Sequence, residues 1–410
     1  MKKVIISLLV AGAAVAANAQ DKALLETLVK KGMLTQQEAA QIAKDSVAVT
    51  PATKSTKSIK IFGGGQGWYS WGKNSVKSGT ASFDQQSGFT LRYVKLGVEA
   101  DVGGGWSAEV VTDFGTEGAS KNYLDKVVAS KKIDLDYING TLQLGLRKVN
   151  MGYEQNMDDF GQLAVERSVA TYFFTRYEGK NFGSRTVGAF WDGNITQVDG
   201  LYYGAAVTSG VSEGGVTNFI TDAQDSSALS FWANAGYKNV ADVKGETLSY
   251  DLGVNFGYAP QGMTTYDRKG SVWGINPYAT LNWRGLTLIG EFFLQQAEDY
   301  APGRDGVGRT PMGANFTAAY KMDIGEWGAL EPVFRASYVS TNGMGLRSAY
   351  SGDDLGDINQ AMTFYGGVNW YATTAVKTSL GYEFGYYDQG DAVVERVYGN
   401  TVWAQVQVLF

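Results

Sequence analysis

The chain has 410 residues, with no cysteine and no histidine, and it carries 53 glycines and only 6 prolines. These counts exclude disulfide bonds, zinc sites built on thiolate or imidazole, and catalytic units that need Cys or His. The formal net charge of −6 argues against nucleic acid as a partner, because binding to phosphates requires a basic surface. We expect no metal and no organic cofactor.

The first 19 residues have the composition of a secretory signal peptide. Lys2 and Lys3 precede an apolar stretch rich in Ala and Val, and Ala17-Asn18-Ala19 forms a cleavage site of small residues before Gln20. The apolar stretch is too short to be a membrane anchor. The sequence therefore predicts an exported protein.

Residues 20–44 predict a short helical hairpin, in which Thr35 and Glu38 form a capping box. Residues 45–58 predict a flexible linker rich in Ser, Thr, Lys and Ala. The region 21–60 carries seven lysines against four acidic residues, so its charge is opposite to that of the rest of the chain. We expect it to be a periplasmic appendage rather than a plug.

From residue 59 the hydrophobic period changes from 3.6 to 2 and stays there to the end of the sequence. Leu142, Leu144 and Leu146, for example, alternate with polar or small residues. Such alternation predicts an all-β fold in which each strand has one apolar and one polar face. Sixteen strands are predicted, near 59–72, 87–101, 105–115, 131–139, 141–149, 183–192, 198–209, 226–239, 247–260, 270–283, 285–299, 311–323, 328–342, 359–372, 374–388 and 395–410.

Strand length and connection length favour a barrel in a membrane. The strands are long enough to cross a bilayer at a tilt, and the connections alternate between short and long, as in outer-membrane barrels. Tight connections are predicted at Asn139-Gly140, Arg284-Gly285 and 101–105, and long ones at 73–86, 116–130, 150–182, 210–225 and 343–358. The sequence therefore predicts a 16-stranded antiparallel transmembrane β-barrel over 59–410. A soluble β-sandwich is the alternative, because its strands show the same alternation.

The last strand carries a candidate assembly signal. Its residues Val402, Ala404, Val406 and Val408 share one face with Phe410. A terminal strand of this kind resembles the signal that is read by the machinery that inserts outer-membrane barrels. We therefore expect the protein in the cell outer membrane, with the barrel assembly machinery, outer-membrane lipid and lipopolysaccharide as partners.

A barrel of sixteen strands encloses an aqueous channel, and charged residues on the polar strand faces are expected to line it. The same charges on the lipid face would cost about 2–4 kcal/mol each at mid-membrane. The strand candidates for pore-lining positions are Arg92, Lys95, Glu109, Asp113, Asp134, Asp136 and Arg147. Further charges on these faces are Glu99, Asp101, Asp251, Glu291, Lys321, Asp323, Glu331, Arg335, Lys377 and Glu383. Acidic residues outnumber basic ones, so a weak preference for cations is expected. In the second strand the alternation of apolar and polar residues shifts near Tyr93. The assignment of Arg92 and Lys95 to the polar face therefore depends on that irregularity.

The longest connection, 150–182, is rich in charged and aromatic residues. Long loops in compact folds are usually functional or disordered, and a disordered loop would not need so many aromatic side chains. We expect this loop to fold inward and to constrict the channel; packing on a neighbouring subunit is the alternative. Its candidate constriction residues are Glu154, Asp158, Asp159, Glu166, Arg167 and Arg176.

Several segments in this order resemble the phosphate-selective porin O/P family. They are Phe89-Thr-Leu-Arg92-Tyr-Val-Lys95-Leu96-Gly97, Asp101-Val-Gly-Gly-Gly-Trp106, Met151-Gly-Tyr-Glu154, Glu166-Arg167-Ser168, Arg185-Thr-Val-Gly188 and Tyr203-Gly-Ala-Ala-Val207. The resemblance implies a sixteen-stranded homotrimeric porin whose third outer loop constricts the channel. The family's second strand usually carries three basic residues, of which Arg92 and Lys95 are present here, with Tyr93 in the remaining place.

Taken together, these features predict a porin that passes small hydrophilic solutes and ions, weakly cation-preferring or unselective. A phosphate- or anion-selective porin is the first alternative, and a structural or adhesive barrel protein is the second. An enzyme is not expected, because barrel hydrolases generally rely on His.

Overall fold

The computed structural model describes residues 57–76, 86–115, 123–176, 182–183, 185–209, 229–265, 268–299, 307–342, 359–388 and 397–410. The predicted signal peptide, the helical hairpin and almost all of the linker lie outside these ranges. The first strand begins at Ser58, where the linker was expected to end.

The alternating segments form antiparallel strands, and sixteen strands of eight or more residues lie within the described ranges. They are β1 Ser58–Val76, β2 Gln86–Gly103, β3 Trp106–Asp113, β4 Leu124–Asp134, β5 Ile138–Lys148, β6 Arg185–Ile195, β7 Leu201–Thr208, β8 Ser230–Val243, β9 Glu246–Thr265, β10 Arg268–Trp283, β11 Leu286–Asp299, β12 Met312–Tyr320, β13 Ala329–Ser340, β14 Gln360–Tyr371, β15 Val376–Asp388 and β16 Val397–Leu409. Two short strands flank β12: Val307–Arg309 pairs with β11, and Met322–Asp323 pairs with β13.

The sheet closes on itself as the sequence predicts. Each strand pairs with its neighbours along the chain, and β1 pairs with both β2 and β16. At this seam Gly63 and Phe410 exchange two backbone hydrogen bonds of 3.0 and 3.1 Å. Closure satisfies the backbone groups that a strand edge would otherwise expose to lipid.

The two faces of the wall have opposite chemistry. Phe316 and Phe334 are 46% and 48% exposed on the outside, whereas their neighbours Asn315 and Arg335 point inward and are buried. The same alternation places Leu380 outside, in an apolar outer face suited to lipid. The soluble sandwich, which would bury its apolar face, is therefore excluded.

One hairpin differs from the prediction. β4 begins at Leu124 and not near residue 131, and its turn to β5 falls at 135–137, where the Leu135 amide donates to the Ile138 carbonyl at 2.9 Å. The expected turn at Asn139-Gly140 and the expected long connection over 116–130 are therefore wrong, since Asn139 pairs within the sheet. The start of β4 resembles a loop in sequence because it places charged side chains inside the barrel.

Two irregularities in the strand register turn additional charged side chains toward the lumen. Gln66 pairs with Tyr93 and Gly67 pairs with Leu91, so Arg92 is an extra residue in β2. Such a bulge re-aims the side chains around it. It explains the slip in parity that the sequence shows near Tyr93. A second shift in β4 leaves Asp125 between the paired residues on either side.

Two helices follow β5, α1 Tyr153–Asn156 and α2 Val169–Arg176, and a 3₁₀ turn covers Gly325–Trp327. In the part of the chain that the structure describes, none of the helices is both long and apolar enough to cross a membrane.

A closed sheet unfolds only as a whole, which predicts heat-modifiable mobility. Unboiled protein in mild detergent should migrate in gel electrophoresis as a compact species or oligomer and should shift on boiling. Its circular dichroism should be that of a β-sheet protein. Identical migration before and after boiling, together with a helical spectrum, would contradict the barrel.

Candidate functional site

Residues 149–176, here called the inserted segment, lie inside the barrel. Phe173 and Phe174 in α2 are fully buried, and Phe174 stacks on the inward-facing Phe293 of β11 at 4.9 Å between ring centroids. Ala164 and Val165 pack against inward-facing residues of β1, β12, β13, β14 and β16. Apolar contacts therefore hold the segment to the wall formed by β11–β16 and β1.

A carboxylate on the wall holds the start of α1. Glu291 of β11 accepts hydrogen bonds from the backbone amides of Tyr153 and Glu154, at 2.7 and 3.1 Å. The amide side chains of Asn276 and Asn315 donate to the same carboxylate at 3.1 and 2.9 Å. These contacts satisfy amides that a helix start leaves without intrahelical partners.

A buried arginine joins two carboxylates under the segment. Arg335 of β13 donates to Glu154 at 3.0 Å and to Glu383 of β15 at 2.7 Å. It also donates to the backbone carbonyl of Glu166 at 2.5 Å. Both ion pairs are shielded from solvent, so these three charges contribute little to the field in the open lumen.

Asp159 is the centre of a second network, in which four cations surround one buried carboxylate. It forms salt bridges with Lys95 and Arg167, and weaker ones with Lys148 at 3.3 Å and Arg185 at 3.7 Å. Its side chain is 2% exposed. The cations come from β2, β5, β6 and the segment itself, so Asp159 ties the segment to the wall opposite α2.

Asp125 extends this network along the wall. It pairs with Lys95 at 2.9 Å and also with Arg185. The bulge at the start of β4 brings its side chain there. Lys95 and Arg185 are thus shared between a carboxylate of the wall and one of the segment.

The two buried carboxyl groups of the segment stay ionised because of the groups around them. Burial alone would raise the pKa of Asp159, but the positive charges of Lys148, Arg167, Lys95 and Arg185 hold it well below its usual range. Burial would likewise raise the pKa of Glu154, and Arg335 together with the hydroxyls of Ser168 and Thr171 lowers it. Both groups therefore act as anions at neutral pH.

The bulge in β2 completes the connection between the wall and the segment. Arg92 donates to Glu166 at 2.7 Å, and its guanidinium lies 5.1 Å from the ring centroid of Trp68. Arg167 donates to the hydroxyl of Tyr93 at 3.0 Å. Tyr93 of β2 thus binds the inserted segment through its hydroxyl.

Two compartments of the lumen remain beside the segment. The first, of about 690 Å³, is called the charged compartment and is bounded by β1–β6, the end of β16 and the segment edge. Its wall carries the pairs Lys126–Glu109, at 2.6 Å, and Arg147–Asp192. The second, of about 870 Å³, is called the polar compartment and lies nearer the tight turns of β5–β10.

The structure brings together most of the residues predicted for the site. Six of them bind the segment to the wall: Arg92, Lys95, Glu154, Asp159, Glu166 and Arg167. Glu109, Arg147 and Asp158 line the charged compartment.

Three predicted carboxylates lie elsewhere, and one predicted side chain is not described. Asp113 is 1% exposed, and its carboxylate accepts from the backbone amides of Val94 and Gly115. Asp134 and Asp136 are exposed at the β4–β5 turn, away from the segment. Strand parity does not show how far a residue lies from the constriction, and the pore-lining role of these residues stays a prediction. The side chain of Arg176 lies outside the described part of the chain.

Sequence reasoning missed Asp125, Lys148 and Arg185 as site residues. The connection predicted at 116–130 includes Asp125, and Lys148 and Arg185 stand at the two strand ends that flank the inserted segment. Residues of opposite charge, some within a long loop and some at the strand ends that flank it, are a sequence signal that predicts such contacts. Among the residues described, no group of three His, Cys, Asp or Glu could hold a metal ion.

A closed barrel with an apolar outside, a polar inside and a segment folded into the lumen is an outer-membrane β-barrel with the fold of porins. It is similar to an anion-selective porin from Comamonas acidovorans, with 12% identity and a TM-score of 0.56 over 86% of this chain and 99% of that chain. OprB of Pseudomonas putida shares 11% identity, with a TM-score of 0.57 over 86% and 94% of the two chains. The outer membrane channel DcaP of Acinetobacter baumannii shares 10% identity, with a TM-score of 0.56 over 89% and 100%.

At these identities the similarity shows the fold alone. No protein-family model matches the chain, and no curated protein matches it. Membership of the phosphate-selective porin O/P family therefore stays a prediction.

Replacing Asp159 by Asn should destabilise the protein, because four cations lose their shared carboxylate. Breaking a buried ion pair costs about 3–5 kcal/mol in free energy of unfolding. Urea unfolding in detergent, followed by heat-modifiable mobility, measures the loss. The control is Asp158→Asn, whose side chain is exposed and which should change stability little.

The same variant has a predicted dependence on pH. The pKa of Asp159 is lower in the folded than in the unfolded state, so its contribution is complete above about pH 4 and is lost as the pH falls through the folded value. Below about pH 4 the wild type should therefore lose more stability than Asp159→Asn does. Equal acid sensitivity of the two proteins would contradict this role.

Proposed function

We propose that the protein is a general porin, a water-filled diffusion channel for small hydrophilic solutes and ions that the inserted segment narrows. The observation that carries the proposal is the segment itself, which packs on one half of the inner wall, is tied to the other half by the ion pairs of Asp159, and leaves two polar compartments beside it. A structural or adhesive barrel has no need of such an arrangement. In a structural or adhesive barrel the lumen could be filled completely, and no charged or polar part of the wall would need to stay open to solvent.

The balance of charge supports weak ion selectivity. Around the two compartments the described lining residues include six basic and six acidic side chains. The basic ones are Lys95, Lys126, Arg147, Lys148, Arg185 and Lys238, and the acidic ones are Glu109, Asp125, Asp158, Asp159, Asp199 and Asp251. Most of the first compartment's charges are paired across short distances, so they act on an ion mainly as dipoles. Asp158, Asp199 and Lys238 are exposed, and their net negative charge favours cations slightly.

Single-channel recording in planar bilayers tests this function. Purified protein should give resolved conductance steps, and a potassium chloride gradient should give a reversal potential near zero or modestly on the cation side. Asp158→Asn should move the potential toward anions. Asp134→Asn is the matched control, an exposed carboxylate at the β4–β5 turn, and should leave it unchanged.

Two results would separate the alternatives. A strongly anion-selective potential, with current blocked by phosphate, would establish the phosphate-selective alternative in place of a general porin. Protein that assembles into bilayers but gives no conductance steps would leave the structural or adhesive role as the better account.

We also propose that Phe410 is the residue read by the assembly machinery. Its side chain is 71% exposed beside the seam, although its backbone is paired with Gly63. Deletion of Phe410 should lower the amount of barrel in the outer membrane without changing the conductance of the barrels that insert. Fractionation followed by bilayer recording measures both, and an unchanged amount would contradict the proposal.

We also propose that three copies of the barrel form a homotrimer. Its support is a wide apolar groove of about 650 Å³ on the outside of β14–β16, β1 and β2, where Tyr69, Phe89 and Leu380 are exposed. Cross-linking of unboiled protein, with light scattering in detergent, reports the number of subunits.

A further inference from the structure

Two tyrosines and two glycines form one level of the inner wall across four strands. Tyr202 of β7 pairs with Gly236 of β8, Gly236 with Gly253 of β9, and Gly253 with Tyr278 of β10. We call this row the tyrosine rung. Its two hydroxyl oxygens are 2.5 Å apart, so the side chains approach each other from opposite ends of the row.

The glycines of the rung allow the rings to lie along the wall. A Cβ atom at Gly236 would collide with Tyr202, and one at Gly253 would collide with Tyr278. With hydrogen in that position, each ring lies close over the glycine backbone, and the Nζ atom of Lys238 lies 5.6 Å from the ring centroid of Tyr202. Both tyrosines are only half-buried.

The inserted segment adds a third ring. Tyr153 lies against Tyr278 with 4.9 Å between ring centroids and 38° between ring planes. Its backbone amide is held by Glu291, so the ring is positioned by the same contacts that hold α1. Tyr153 lines the polar compartment, so the tyrosine rung adjoins the compartment through this third ring.

The next inward-facing level toward the tight turns supplies hydrogen-bonding groups. Lys238, Asp251 and Thr280 line the polar compartment there, and Asp251 accepts from the hydroxyl of Tyr202 at 2.7 Å. Further lining side chains carry amides or a hydroxyl: Asn139, Asn194, Ser249 and Asn282. Amides and hydroxyls both donate and accept, so they suit a ligand that does the same.

We propose that the tyrosine rung and the polar compartment form a binding subsite for neutral, polyhydroxylated solutes, that is, sugars. Aromatic ring faces bind the apolar C–H faces of a sugar, while amides and a carboxylate bind its hydroxyl groups. The charged lining residues among those described are Asp199, Lys238 and Asp251, which gives an anion no net attraction. Binding is weak, because a solute in transit must also leave.

This proposal names a solute class for the pore proposed above, and it rests on that function only for how the sugar reaches the site. The probe is maltose, added to one side of a bilayer during single-channel recording. The control solute is polyethylene glycol of similar mass, which fills space but has no row of hydroxyl groups. Maltose should lower the conductance saturably, whereas the polymer should lower it only in proportion to its concentration.

Variants of the rung locate the effect. Tyr278→Leu should raise the half-saturating maltose concentration about three- to tenfold, whereas Tyr278→Phe, which keeps the ring, should stay within about twofold. Tyr237→Leu is the matched control, because Tyr237 is on the lipid side of β8 and contacts Tyr250. Heat-modifiable mobility of each purified variant, like that of the wild type, shows that the variant assembles.

Calorimetric titration of the purified barrel with maltose separates the two proposals, since it does not depend on ion flow. Binding that is weakened by Tyr278→Leu but not by Tyr237→Leu supports the subsite, even if the protein conducts no ions and the pore is disproved. The subsite is disproved if maltose gives no heat of binding, if maltose and the polymer lower the conductance alike, or if the two leucine variants behave identically.

Discussion

The arrangement of the lumen depends on one buried carboxylate surrounded by cations. Asp159 belongs to the inserted segment, and its partners Lys95, Lys148 and Arg185 belong to three separate strands. A buried charge is tolerated only with such compensation. Because the partners lie on the wall opposite the apolar contacts of α2, the segment is held from both sides.

This bridge across the lumen decides which charges a solute can meet. A count of lumen residues treats all of them as solvated, but Arg335 and Glu383 are buried beneath the segment, where Arg335 pairs with both Glu383 and Glu154. The remaining space is lined by charges that are mostly paired. Selectivity therefore depends on a few exposed groups and on hydrogen bonding, and not on the overall acidity of the barrel.

The position of the segment also connects the two compartments chemically. Glu291 holds the amides at the start of α1, and this places Tyr153 against Tyr278 at the edge of the polar compartment. Residues 156–160, a few positions further along the same segment, line the charged compartment. One short stretch of chain thus shapes both surfaces that a solute would pass.

The sequence by itself determined the barrel, the number of long strands and the side of the wall on which residues such as Phe316 and Asn315 lie. Alternation is a local property, since successive side chains of a strand point to opposite faces. Alternation did not predict the start of β4, because the consecutive inward-facing charges of Asp125 and Lys126 interrupt the pattern by which a strand is identified. The charge and aromatic content of 150–182 also predicted a loop that folds inward.

Only the tertiary structure decided which groups meet inside. Glu154 and Arg335 are 181 residues apart in the chain, and no local pattern relates them. The tyrosine rung likewise depends on the register of four strands, which aligns Tyr202 with Tyr278 across two glycines. Register and loop docking follow from contacts between distant segments, and sequence periodicity carries no information about such contacts.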